Sequence, residues 1–225
     1  MSNAQASPRT YLPLTWASAI ASAGCLLMIV LRLMLTGSLR YGFLLWNLFL
    51  AWIPYLLGLL ILRITIRGTS RPRLRPGALL LGLLWLLFYP NAPYILTDFI
   101  HVIEDIGNLT NALLWYDIIL HAAFAFIGHL IGLISLAILY QTVEQLYHRW
   151  LAWLVVVLAC GLGGYGIYLG RFERLNSWDI LFVPGATLRI GILSLFNPKA
   201  LLFSLCFAFY IFLTYLIVHF LRQTR

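Results

Sequence analysis

Charge is what this chain has least of. Only 10% of its 225 residues are Asp, Glu, Lys or Arg, against roughly 25% in an ordinary soluble domain. Hydrophobic residues make up 62%. Several apolar runs approach or exceed the ~20 residues that cross a bilayer, which excludes a soluble globular enzyme. Cysteine is scarce too. Cys25, Cys160 and Cys206 lie in separate apolar runs, with no spacing that implies a disulfide framework, a metal knuckle or a nucleophile, and read as small packing residues. No His-Glu-x-x-His, nucleophile elbow around Ser135, Ser194 or Ser204, phosphate-cradling glycine loop or dinucleotide fingerprint is present. Ser22-Ala23-Gly24-Cys25 faintly resembles a lipoprotein cleavage site, but Ser22 replaces the aliphatic residue and Leu26–Leu35 continues apolar. A retained first helix is expected.

What is there centres on residues 88–101, Phe-Tyr-Pro-Asn-Ala-Pro-Tyr-Ile-Leu-Thr-Asp-Phe-Ile-His. Proline removes a backbone donor and clashes with the preceding turn, so Pro90 should end the apolar helix that begins near Gly77. Asn91 suits an N-cap, and Pro93 falls in a first turn where a missing N–H does no harm. Beyond it, Ile95, Phe99, Ile100, Ile103 and Ile106 share one helical face. Thr97, Asp98, His101, Glu104, Asp105 and Asn108 share the other.

The pattern predicts an all-α polytopic membrane protein of about six transmembrane helices, near 14–35, 41–64, 77–89, 111–140, 150–169 and 199–221. The third is broken by proline, and the interrupted stretch 176–196 reads as an interfacial segment. Residues 1–12 are expected to be a disordered cytoplasmic N-terminus, and 13–225 one integral membrane domain. In the first helix, Arg32 sits where its long side chain can snorkel outward. In the second, Asn47, Ala51, Pro54 and Gly58 form a small-residue packing stripe, with Asn47 alternatively a ligand contact. The third covers only about 20 Å of a ~30 Å core from Gly77. Either the chain continues the crossing after the break, or the helix starts earlier and tilts. Gly166 and Gly170 in the fifth admit a close neighbour.

The formal charge of +8 would point to nucleic acid in a soluble protein, but the positive-inside rule accounts for it here and no nucleic acid is expected. Arg63, Arg67, Arg71, Arg73 and Arg75 share one loop without an acid. With Arg9, Arg149, Arg222 and Arg225, they fall on the cytoplasmic side of a six-crossing arrangement with both termini cytoplasmic. Glu144 is the one acid that joins them. Asp98, Glu104, Asp105, Asp117, Glu173 and Asp179 fall outside.

Ionisable groups at membrane depth are costly and point to function. The expected binding set is Asn47, Asn91, Asp98, Asp117, His121, Arg171, Asn176 and Asp179, with Asp98, Asp117 and His121 as catalytic candidates. Asp98 with His101 and Asp117 with His121 could offer two carboxylates and two imidazoles to a divalent metal. Against this stand a solvated helix face and a carboxylate–guanidinium network joining Arg171 or Arg174 to Asp98, Asp117 or Asp179. His129, deep in the fourth helix, reads as a core histidine bonded to a neighbouring helix. No cofactor is indicated.

Trp46-Asn47-Leu48-Phe49-Leu50-Ala51-Trp52-Ile53-Pro54 resembles a motif of the bacterial multi-pass family known as domain of unknown function 1361. So do Tyr89–Tyr94 with Thr97-Asp98, Trp115-Tyr116-Asp117, and Tyr168–Phe172 with Asn176–Asp179. The similarity spans roughly residues 40–220. It implies an integral membrane protein of the bacterial cytoplasmic membrane and supplies no activity. Three functions remain open: a binder of a small polar or anionic ligand or lipid headgroup, a membrane-embedded enzyme acting on a lipid or envelope substrate, and a structural subunit. Membrane lipids are the expected partners, with a second copy of the chain or a membrane-complex subunit also admitted.

Overall fold

The computed structural model describes residues 7–66, 75–107 and 110–223. Among them every regular element is helical. A 3-10 turn, Pro8–Tyr11, precedes α1 (Leu12–Thr36), α2 (Phe43–Ile66), α3 (Pro76–Phe88) and α4 (Asn91–Tyr94). A second 3-10 turn, Ile95–Asp98, leads into α5 (Phe99–Glu104) and α6 (Asn111–Leu146). Then come α7 (Arg149–Arg171), α8 (Asp179–Phe182), α9 (Pro184–Ser194) and α10 (Pro198–Gln223). Six stretches are long and apolar enough to cross a membrane: Pro8–Thr36, Phe43–Thr65, Pro76–Glu104, Asn111–Leu146, Arg149–Phe172 and Pro198–Arg222. These are the six expected helices, the fourth running past Tyr140. Arg67, Arg71, Arg73, Asn108, Arg225 and residues 1–6 lie outside the described residues. Within the N-terminal stretch, Tyr11 is buried. It donates to Gln141 and accepts from Arg222 at 2.9 Å.

A helix that is apolar all round belongs in the interior, and α6 is that helix. Of its most apolar window 72% is buried, against 17% in α10. Its 36 residues extend for about 54 Å at 1.5 Å per residue. Around it pack α1, α2, α4, α7 and α10. The stripe on α2 does face a neighbour. Ala51 and Pro54 are buried, a Cβ at Gly58 would lie 3.4 Å from Ser135 of α6, and the Ser135 hydroxyl donates to the Pro54 carbonyl at 2.8 Å. His129 bonds the Thr214 hydroxyl of α10 at 2.8 Å, as a core histidine should. Cys25 and Cys160 are buried, whereas Cys206 faces outward from α10, so packing explains two of the three.

The third crossing is discontinuous, the first of the two alternatives. With 13 residues, α3 stops at Phe88, and the chain continues as α4, the 3-10 turn and α5. What seats this break is a row of glycines. A Cβ at Gly132 would fall 2.7 Å from Ala92, one at Gly128 2.4 Å from Ile95, and one at Gly166 2.5 Å from Pro90. The break therefore lies in a trough between α6 and α7. Gly166 and Gly170 receive this segment rather than a continuous helix. Gly164 is the position that receives one, since its Cβ would fall 2.2 Å from the Ser204 carbonyl of α10. Neither α8 nor α9 is long enough to cross. Over the same end, α9 is held by Tyr165 donating to the Gly191 carbonyl and Ser194 donating to Glu173 at 3.4 Å. Its Leu188, Ile192 and Leu193 are exposed.

A Cβ at Gly164 would meet backbone and one at Gly166 the rigid Pro90 ring, neither of which can relax cheaply, so Gly164→Ala and Gly166→Ala should each destabilise the purified protein by about 1–3 kcal/mol. Gly161→Ala meets nothing within 4 Å. It should be neutral or stabilising by up to ~1 kcal/mol, because glycine is the poorer helix former. Thermal unfolding in detergent separates the two classes.

Candidate functional site

Buried backbone groups need partners, and the residues at the break supply them. Pro93 cannot donate to the Tyr89 carbonyl one turn back, so the Ala92 N–H takes it at 3.2 Å. That leaves the Phe88 carbonyl, to which Asn91 Nδ2 donates at 2.9 Å. Asn91 is thus not the N-cap that its type suggested: Pro90 holds that position, and the amide donates backwards and to Ser177 Oγ at 2.8 Å. Thr97 Oγ1 donates to the Tyr94 carbonyl at 2.8 Å. Past the break two acids turn inward among apolar residues: Asp98 and Asp105 are 2% and 3% exposed, while Ile103 and Ile106 are 59% and 62% exposed. Glu104, of the same polar face, stays exposed.

Asp98 is the anchor. Asn47 Nδ2 donates to its Oδ2 at 2.7 Å, and Arg171 approaches Oδ1 at 3.8 Å. Three crossings thereby meet at one carboxylate. In front of it opens a cavity of about 600 Å³, within the ~300–1,000 Å³ range of ligand sites. One wall is Trp46, Asn47 and Leu50 from α2, the other Gly166, Leu169, Gly170 and Arg171 from α7, and the back is the break. The turn after α7 contributes Arg174, Asn176 and Ser177; Ile180 and Thr187 close over it, and His101 and Glu104 flank it. Trp46 meets Trp178 edge-on at 6.3 Å. His101 Nδ1 and Glu104 Oε2 are 3.2 Å apart. Arg174 is exposed, holds φ +55°, and makes no ion pair among the described residues. The left-handed region is uncommon for arginine, and here it is held in the turn that contributes to the cavity lining.

Asp117 and His121 belong to a different cluster. Asp117 is fully buried and held by Arg32 through two bonds, Nε–Oδ1 at 2.7 Å and Nη2–Oδ2 at 3.0 Å. Arg32 is only 3% exposed and stacks 4.2 Å over the Tyr41 ring, so it does not snorkel outward as expected. A fully buried carboxylate is too good a partner to leave. Tyr41 donates to Asp105 Oδ2 at 2.5 Å, and Arg40 pairs with Oδ1 at 2.6 Å. Burial first, and then the Asp105 bond, push the Tyr41 phenol well above its ordinary value, which keeps it a donor. His121 Nδ1 donates to the Asp117 carbonyl at 2.8 Å; its Nε2 is buried without a hydrogen bond.

Of the expected set, Asn47, Asn91, Asp98, Arg171 and Asn176 come together, and His101 joins the cavity rim. Asp179 stands beside them, accepting the Asn176 backbone N–H at 2.7 Å rather than lining the cavity. The expected guanidinium network forms as Arg171–Asp98, but Asp117 takes Arg32. Phe43 stands between His101 and His121, at 4.9 and 6.5 Å. The two Asp/His pairs do not pool. Among the described residues no group of three or more His, Cys, Asp or Glu could hold a metal ion. Arg32, Arg40 and Tyr41 escaped sequence reasoning, although a charge inside an apolar helix was itself the signal for Arg32.

Six apolar helices, one of them broken beside a polar cavity, define an all-helical protein compatible with an integral membrane protein. The family model described as Protein of unknown function (DUF1361) matches residues 46–214. The chain belongs to that family, as its motifs implied. No curated protein and no solved structure matches it.

Removing one partner of a buried ion pair strands the other, so Asp117→Asn should cost about 3–5 kcal/mol. Arg32→Met combined with Asp117→Leu should recover much of that loss. A double-mutant cycle by thermal unfolding measures both.

Proposed function

We propose that this is a multi-pass protein of the bacterial cytoplasmic membrane whose outward-facing cavity binds a small anionic ligand, a lipid headgroup included. The observation that carries the reading is Arg174. It lines the cavity with no carboxylate partner among the described residues, whereas Arg171 faces Asp98 and His101 faces Glu104. An uncompensated guanidinium among amides and a hydroxyl is an anion donor set. Asp98 sits behind Asn47 and Arg171 rather than on the wall, which makes it an organiser of those two side chains. Binding to the folded state alone stabilises by about 2.7 kcal/mol at a hundredfold excess over Kd. A thermal-shift screen of anionic compounds and lipids should find such a ligand. Arg174→Asn, chosen because asparagine tolerates the left-handed backbone, should abolish the shift while leaving the unliganded melting temperature within a few degrees.

The orientation follows from charge. By crossing order nine of the 15 Lys and Arg belong to one end, five of them (Arg63, Arg67, Arg71, Arg73 and Arg75) in one short stretch of sequence without an acid, and six (Arg32, Arg40, Arg171, Arg174, Arg189 and Lys199) to the other, so the end with the arginine-rich loop faces the cytoplasm. In a cysteine-free background, His148→Cys should react with an impermeant thiol reagent only after the membrane is opened, and Ser177→Cys before. The reverse pattern inverts the arrangement.

A further inference from the structure

The same cavity holds a second set of polar atoms, and they are of the opposite kind. Asn47 donates through Nδ2 to Asp98, since an oxygen turned that way would face the carboxylate. Asn91 spends Nδ2 on the Phe88 carbonyl and on Ser177. The bonds fix how each amide is turned: both N–H groups of Asn91 are used, and Asn47 keeps one. Neither Oδ1 accepts a hydrogen bond within the described chain, and both residues line the cavity. Two amide acceptors on the α2 and break walls thus stand across from the guanidiniums of Arg171 and Arg174. A bare anion would satisfy the arginines and meet the two oxygens with like charge. A ligand with an anionic group at one end and hydroxyl or ammonium donors at the other serves both sets at once.

The cavity floor says more. Leu50, Leu87 and Leu169 lie on α2, α3 and α7 below the polar ring, and Trp46 carries that apolar lining to the outer surface, where it and Phe49 are 53% and 55% exposed. Guanidinium forks match phosphate geometry as they match carboxylate. Any small free anion would leave most of a cavity of about 600 Å³ empty; a phosphate diester carries both a donor-bearing group and an apolar chain on one anionic centre, whereas a carboxylate has a single point of attachment.

Resting on the anion reading of this cavity, we propose that its ligand is a phosphate ester bearing hydroxyl or ammonium donors, of the phosphoglycerol type, with the phosphate on Arg171 and Arg174 and the donors on Asn47 and Asn91. The apolar floor takes whatever chain the phosphate is esterified to. The compound can reach the site as the headgroup of a phospholipid or as a free glycerol phosphate, and both share this chemistry.

The test is a binding series on the purified full-length protein in neutral detergent, read by thermal shift and by native mass spectrometry. The probes are phosphatidylglycerol, phosphatidylmethanol, sn-glycerol 3-phosphate, inorganic phosphate, and a carboxylate and a sulfate of similar size. Phosphatidylmethanol keeps the anionic diester and the acyl chains but has no donor. Phosphatidylglycerol should bind about tenfold tighter than phosphatidylmethanol, the value of one or two good hydrogen bonds, and Arg174→Asn should remove that binding. Glycerol 3-phosphate binding as tightly as phosphatidylglycerol assigns the free compound, and weaker binding assigns the lipid. Equal affinity for phosphatidylglycerol and phosphatidylmethanol overturns the donor requirement. If the carboxylate or the sulfate binds and no phosphate compound does, the phosphate assignment falls while the anion site stands. If no anion of any kind binds, both fall.

Discussion

The arrangement depends on one steric constraint, the seating of the Tyr89–Ile95 break in the trough between α6 and α7. Two prolines stop a helix between packed neighbours, and the freed carbonyls must find donors where the segment is wedged against α6 and α7. Ala92, Asn91 and Thr97 provide them from within the segment itself. That solution makes the segment wide and irregular, so its neighbours must be thin. Gly128 and Gly132 on one side and Gly166 on the other supply the space. Once seated, the break sets the direction of the chain beyond it, and with that direction comes the placement of Asp98 against Asn47 and Arg171. The cavity is the volume left in front, where α2 and α7 stand apart on either side of a segment that cannot close the gap.

Much of this was legible in the residues. Six apolar runs, the stop at Pro90 and the restart as a polar-faced segment are consequences of local chemistry, and the structure has them all. Asn91 was the instructive failure at short range. Its type favours an N-cap, but the competing demand of the Phe88 carbonyl took its amide, and no propensity scale ranks those two offers. The site was half legible for a different reason. Asn47, Asn91, Asp98, Arg171 and Asn176 carry polar groups at helix ends that topology brings together, so grouping them needed only the crossing order. Separating Asp117 and His121 from them needed to know which way α6 is rotated and that Arg32 faces it across α1. Helical spacing places residues on a face; it does not say which helix that face meets.

The two polar clusters at this end of the bundle differ in kind. Around Asp117 and Asp105, the charged groups on α1, the turn before α2, the end of α5 and α6 are matched, with Arg32, Arg40 and Tyr41 as donors, and the cluster fastens four parts of the chain with little left over. Around Asp98 the matching is incomplete among the described residues: Arg171 stands at a long 3.8 Å, Arg174 makes no ion pair, and two amide oxygens accept no hydrogen bond. A closed network of paired charges stabilises a fold; an open one beside a cavity leaves polar atoms to be satisfied from outside it, which is what the proposed ligand would do. The same composition of carboxylates, guanidiniums and amides builds both clusters, and pairing is what distinguishes them.

The Arg32–Asp117 bond also imposes an order of events on synthesis. Its partners are 85 residues apart in the chain, and a chain leaves the ribosome from its N-terminus. When α1 is complete, the carboxylate that will hold Arg32 has not been made, and neither have α2, the break or the first two turns of α6. Arg32 lies four residues from the end of α1, where a long side chain can reach water on its own. Its burial against Asp117, which leaves it 3% exposed, therefore follows only once α6 has been made, and the far end of the first helix takes its final packing after the fourth crossing is in place.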